Sequence, residues 1–156
     1  MTLSLHSSAF EHNREIPAEY TCQGKNISPP LAWTGVPEGT RSFVLMIDDP
    51  DAPDPDAPKM TWVHWLVYNL PPHVQELPLG VTDQDLPVGT QFGVNDFKRT
   101  RYGGPCPPIG RHRYFHRLYA LDTFLDLKKP TQSQLECAMS GHILAQAELM
   151  GTYQKS

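Results

Sequence analysis

Sixteen prolines and eleven glycines punctuate this 156-residue chain, and they stand between short apolar runs rather than in one tail. Proline fixes φ and has no amide proton to give to a ladder, so such spacing suits strands joined by long ordered loops. The expected fold is mostly β, in a single domain over residues 1–156, because no repeat or low-complexity linker marks a boundary. Hydrophobic residues make up 39% and charged residues 19%, as in an ordinary globular protein.

Three runs read as core strands. Ser42 to Asp49 is apolar on both faces, as a buried sandwich strand would be. Trp62 to Leu70 and Arg113 to Leu121 are rich in aromatic and branched side chains. Weaker strand signals lie at Leu3 to Ser7, Ala32-Trp33 and Gln91 to Asp96. One helix is expected near the C-terminus. Thr131 and Gln134 form a capping-box pattern, and Leu135, Ala138, Met139, His142, Ala145 and Leu149 recur at helical spacing up to a C-cap at Gly151.

Several function classes are disfavoured. A net charge of −4 does not suit a general nucleic-acid binder. No segment approaches the roughly 18 apolar residues of a membrane span, and Met1 to Phe10 lacks the features of a secretory signal. The cysteines (Cys22, Cys106 and Cys137) are odd in number and far apart, which argues against a disulfide scaffold or a structural zinc site and for a reducing cytoplasm. His112 and His116 suit a metal only on a helix, because four residues of strand separate them by roughly 13 Å. No metal and no cofactor are expected.

The chemistry gathers in two segments. One is Asp48-Asp49-Pro50-Asp51-Ala52-Pro53; the other runs from Gly103 to Tyr114, with Trp62-Val63-His64-Trp65 between them. Alternation puts Asp49 on the face of Phe43, Leu45 and Ile47, Trp62 with His64, and His112 with Tyr114. If the three strands are neighbours, Asp49, His64, His112 and Tyr114 converge near strand ends. Asp51 then serves as a structural acceptor, pairing with Arg113. Ala52-Pro53 is a candidate cis bond. Pro107, Pro108 and Trp62 would form walls, and the Gly104 amide would donate to an anion. A carboxylate at such a site must be paired, so Asp49 would hold His64 or His112 as an imidazolium that donates to the ligand. The competing reading is a small hydrolase or lyase using Cys106 as nucleophile or the Asp49/His64/His112 cluster.

Asp49-Pro50-Asp51-Ala52-Pro53, Trp62-x-His64-Trp65, Gly104-Pro105-Cys106-Pro107-Pro108 with Gly110 and His112-Arg113-Tyr114, and Ser28-Pro29-Pro30-Leu31-x-Trp33 together resemble the phosphatidylethanolamine-binding protein (PEBP) family. The resemblance is to its bacterial and archaeal YbhB/YbcL-like branch, whose members are called Raf kinase inhibitor-like proteins. It implies a β-sandwich with flanking helices and a non-enzymatic pocket for phosphate-like anions or phosphorylated headgroups such as phosphoethanolamine. On this chain that pocket maps to Asp49, Pro53, Trp62, His64, Gly104, Pro108, His112 and Tyr114. The resemblance also implies regulation of a protein partner such as a kinase. A homodimer is compatible with these residues, and Tyr153 is expected to play the part of the C-terminal residues near the pocket in animal members.

Overall fold

The computed structural model describes residues 2–156. Its strands are β1 (Ser4–His6), β2 (Arg14–Glu15), β3 (Leu31–Thr34), β4 (Ser42–Ala52), β5 (Met60–Leu70), β6 (Glu76–Leu77), β7 (Gln91–Phe92), β8 (Arg111–Leu121) and β9 (Ile143–Gln154), with one α-helix, α1 (Gln132–Met139). They form a three-stranded sheet, β1-β3-β6, and a six-stranded sheet ordered β2-β9-β8-β4-β5-β7. The three core runs of the sequence are thus adjacent at the centre of one sheet, in the order β8-β4-β5, each antiparallel to its neighbour.

Strand β4 is apolar on both sides because both of its faces are covered. Phe43, Leu45 and Ile47 enter the core between the two sheets, with Leu31, Trp33 and Leu77 from the smaller one. Val44 and Met46 face the other way, against Leu135 and Met139 of α1. A strand buried on both faces has no polar side to present, which is why alternation disappears from its sequence.

The C-terminal helix is shorter than its apolar spacing predicts. Its start is as expected: Thr131 Oγ1 accepts from the Gln134 amide, and the Gln134 side chain accepts from the Thr131 amide. It stops at Met139, where Gly141 (φ 84°) reverses the chain into β9. Ala145 and Leu149 are four residues apart, a separation that fits a helical period and a strand period equally well. Strand pairing with β8 over eleven residue pairs decides the matter. Gly151 is therefore not a helix cap. It lies opposite Tyr114, where an added Cβ would come within 2.5 Å of Ile16. His142 lies on the exposed turn and pairs with Asp122.

The reading of the cysteines is also overturned. Cys22 and Cys106 form a disulfide across 84 residues of sequence, and only Cys137 is free. Long-range pairing of this kind leaves no spacing signature in the sequence, and it removes the cysteine-based argument for a reducing compartment. Among the described residues no helix is long and apolar enough to cross a membrane.

The packing of α1 sets a graded expectation. Leu135 is fully buried, so Leu135→Ala should cost about 2–5 kcal/mol of stability. Thr131→Ala, which removes only the cap, should cost about 1 kcal/mol. Urea denaturation that ranks the two equally would contradict this placement.

Candidate functional site

A cavity of about 280 Å³ opens where β4, β5 and β8 end. Register builds it. Asp49 lies opposite Trp62, and His64 is two residues further along the same face of β5. His112 and Tyr114 enter from β8, whose first residues run past β4 and pair with Tyr153 and Gly151 of β9. The lining holds Asp49, Pro53, Trp62, His64, Pro108, His112 and Tyr114, seven of the eight residues expected from the sequence. A larger cleft of about 470 Å³ between Asn26–Ser28, Gly80–Asp83 and Thr100–Tyr102 brings together no carboxylate–imidazole pair.

Gly104 is the exception. Its amide donates to Asn26 Oδ1 (2.8 Å) and it does not line the cavity. A Cβ there would come within 2.4 Å of both Asn26 Oδ1 and the Tyr20 carbonyl oxygen. Glycine is required at 104 by close approach of the N-terminal segment, and no free amide is left to offer.

The two histidines differ in kind. His112 Nδ1 lies 2.6 Å from Asp49 Oδ2, and its Nε2 donates to the Ile109 carbonyl oxygen at 2.9 Å. A carbonyl can only accept, so Nε2 carries a proton. One further proton lies between Nδ1 and Oδ2. Whichever atom holds it, the Asp49–His112 pair is neutral overall. Burial pushes the Asp49 carboxyl above its ordinary value, against the lowering by His112 and the Asp51 amide.

His64 Nδ1 donates to the Gly103 carbonyl oxygen (2.6 Å), while its Nε2 has no protein partner among the described residues. Burial lowers its pKa to about 4, so the ring is neutral near pH 7 with an acceptor lone pair on Nε2. Neither ring therefore offers the cavity the expected imidazolium donor: one is neutral, and the other has both nitrogens engaged. Tyr114 packs edge-on to His64 and parallel to His112. Its hydroxyl has no protein partner among the described residues, and burial raises its pKa, which keeps it a donor.

Supporting contacts fix these groups. Asp49 Oδ1 accepts from the Asp51 amide, and the Asp51 carboxylate takes the Arg113 amide, Nε and NH2 at 2.9–3.0 Å. Arg113 holds the Asp51 carboxyl below its ordinary value. The Ala52-Pro53 bond is cis. Asp48 faces the other side of the sheet, where Arg117 and Gln132 bind it. Tyr153 is beside His112 in register, but its hydroxyl donates to Gln23 and it is not part of the lining.

The sequence reading missed Met60, Phe97 and Cys106 as a wall, whereas Pro107 lines the cavity beside Pro108 as expected. Phe97 packs edge-on against both Trp62 and His64. It is held by Asn95, whose side chain donates to the His64 and Arg101 carbonyls and accepts from the Phe97 and Arg99 amides. A buried asparagine inside Gly-Val-Asn-Asp-Phe was the available signal, since Asx side chains commonly organise turns. Cys106 has its sulfur bonded to Cys22, so the cavity contains no thiol nucleophile.

A β-sandwich with a small carboxylate–imidazole cavity at its central strand ends is the class of protein that these features define. The sequence profile described as "Phosphatidylethanolamine-binding protein" matches residues 6–154, and the chain belongs to that family. A UPF0098 protein of Methanothermobacter thermautotrophicus is 47% identical over 156 residues, covering 98% of this chain and 99% of the relative. Among solved structures, a phosphatidylethanolamine-binding protein homologue from Chlamydia trachomatis superposes with a TM-score of 0.90 at 44% identity, covering 99% of each chain. Escherichia coli YbcL, described as a member of the mammalian PEBP family, gives 0.88 at 32% identity over the whole of both chains.

The buried rings predict a pH dependence. His64 and His116 each have a pKa near 4 in the fold against about 6.5 when exposed. A depressed histidine contributes no penalty above its unfolded pKa and destabilises as pH falls below it. Stability should therefore fall between about pH 6.5 and about pH 4, by up to about 3 kcal/mol for each ring. The lowered Asp51 carboxyl extends the loss only below its ordinary value of 3.8, whereas the raised Asp49 opposes it. Urea midpoints that stay flat over this window would contradict the burial of both rings.

Proposed function

We propose that the protein is a non-enzymatic binder of small anions, of the phosphate monoester or phosphorylated-headgroup type. The observation that carries this reading is the inventory of the cavity: two polar atoms without protein partners, an acceptor at His64 Nε2 and a donor at Tyr114, between apolar walls. A monoprotonated oxyacid is complementary to that pair. Its hydroxyl gives a hydrogen bond, or its proton, to His64 Nε2, and a second oxygen accepts from Tyr114. The Asp49–His112 pair remains as a neutral polar wall and does not repel the charge.

The binding reading is favoured over hydrolysis because the lining holds no serine, threonine or free thiol to attack a bound ester. His112 is spent on Asp49 and Ile109, which leaves it no nitrogen to serve as a base toward the ligand. Apolar walls from Pro53, Trp62, Phe97 and Pro108 strengthen hydrogen bonds to an occupant by excluding water.

Binding is then coupled to proton uptake, because a bound anion favours the charged form of a ring that is neutral when the site is empty. Calorimetry with inorganic phosphate and phosphoethanolamine, in two buffers of different ionisation enthalpy, should register up to one proton taken up. Affinity should fall as pH rises, by as much as about tenfold per unit. Tyr114→Phe should weaken binding about tenfold, and His64→Ala should abolish the proton uptake. Ester or phosphoester turnover that His64→Ala removes would overturn the reading in favour of an enzyme.

A further inference from the structure

The wall of the cavity formed by Cys106, Pro107 and Pro108 is anchored in an unusual way. Among the described residues, none of these three makes a hydrogen bond. The prolines have no amide to give. On either side the chain is well tied: the Gly103 carbonyl accepts from His64, the Pro105 carbonyl accepts from the Cys22 amide, and the Ile109 carbonyl accepts from His112. Between Pro105 and Ile109 the one specific bond to the rest of the protein is the Cys22–Cys106 disulfide. Both cysteines are exposed, within reach of a thiol in solution.

We propose that this disulfide is a redox latch on the lip of the cavity. Attack by an external dithiol breaks the Cys22–Cys106 bond, each protein sulfur gains a proton, and the dithiol closes to its own cyclic disulfide. The span from Pro105 to Ile109 then loses its covalent tie to the segment around Cys22. The Ile109 carbonyl that accepts from His112 Nε2 lies at the end of that span, so a loosened lip disturbs the pair at the floor as well as the wall. The oxidised protein holds the closed cavity, and the reduced protein populates it only in part. The effect on affinity rests on the anion-binding reading above; the mobility of the lip does not.

Two readouts separate these layers. Cys137→Ser provides the background, because the exposed free thiol at 137 could otherwise exchange with the disulfide. Inorganic phosphate is titrated with and without dithiothreitol, an uncharged reductant, and amide exchange without ligand is followed at Cys22 and Gly104, whose amides donate to the Pro105 carbonyl and to Asn26 Oδ1 between the lip and the segment around Cys22. Both are recorded where circular dichroism shows each form folded. If the closed lip falls to about a tenth of the population, reduction raises the apparent Kd about tenfold. Exchange at those amides accelerates, and reoxidation reverses both changes. Cys22→Ser in the same background behaves as the reduced protein with or without dithiothreitol. Equal phosphate affinity and unchanged exchange in the two states overturn the latch. Accelerated exchange with no phosphate binding in either state supports the latch and refutes the anion reading.

Discussion

A single buried proton between Asp49 and His112 holds the cavity together. A carboxylate taken out of water is costly unless its lone pairs are occupied, and here the occupants come from β8 and from β4 itself. His112 takes one oxygen and the Asp51 amide takes the other. The same turn aims Asp51 at Arg113, one residue from His112, so the two acidic residues clamp β4 to the start of β8 by successive positions. Buried pairs of this kind contribute geometric specificity more than net stability, because desolvation offsets much of their attraction. The energy that makes the clamp sustainable comes from the apolar core below it, where Phe43, Leu45 and Ile47 pack under the smaller sheet.

The division of labour between the two cavity histidines follows from their partners rather than from their burial, which is nearly complete for both. His112 faces acceptors on both nitrogens and is fixed by the fold. His64 spends one nitrogen on a carbonyl and keeps the other bare, with Tyr114 and Phe97 edge-on to its ring. One ring is structural and the other is poised to respond. Under the anion-binding proposal, a site made this way carries little charge until it is filled, which suits a ligand that brings its own proton.

Much of this was legible in the sequence because β-strand geometry is local. Period-two alternation was enough to group Trp62 with His64 and His112 with Tyr114, and the dense Asp-Pro segment after a doubly apolar strand marked Asp49. What escaped was set by distance in the chain. Nothing near Cys106 announces Cys22, and nothing near Gly104 announces that Asn26 claims its amide. The helix was overextended because Ala145 and Leu149 satisfy two periodicities at once, and only pairing with β8 distinguishes them. The donors were misassigned for a related reason: the desolvation that neutralises His64 and the carbonyl at Ile109 that occupies His112 are both products of the assembled fold.

Nitrogen NMR of the imidazole rings addresses this account most directly, because ring shifts distinguish the two neutral tautomers from the cation. At neutral pH and without ligand, His64 should be neutral with its proton on Nδ1, and His112 should carry a proton on Nε2 with a second shared with Asp49. A His64 imidazolium in the empty protein, or a His112 with a bare Nε2, would contradict it.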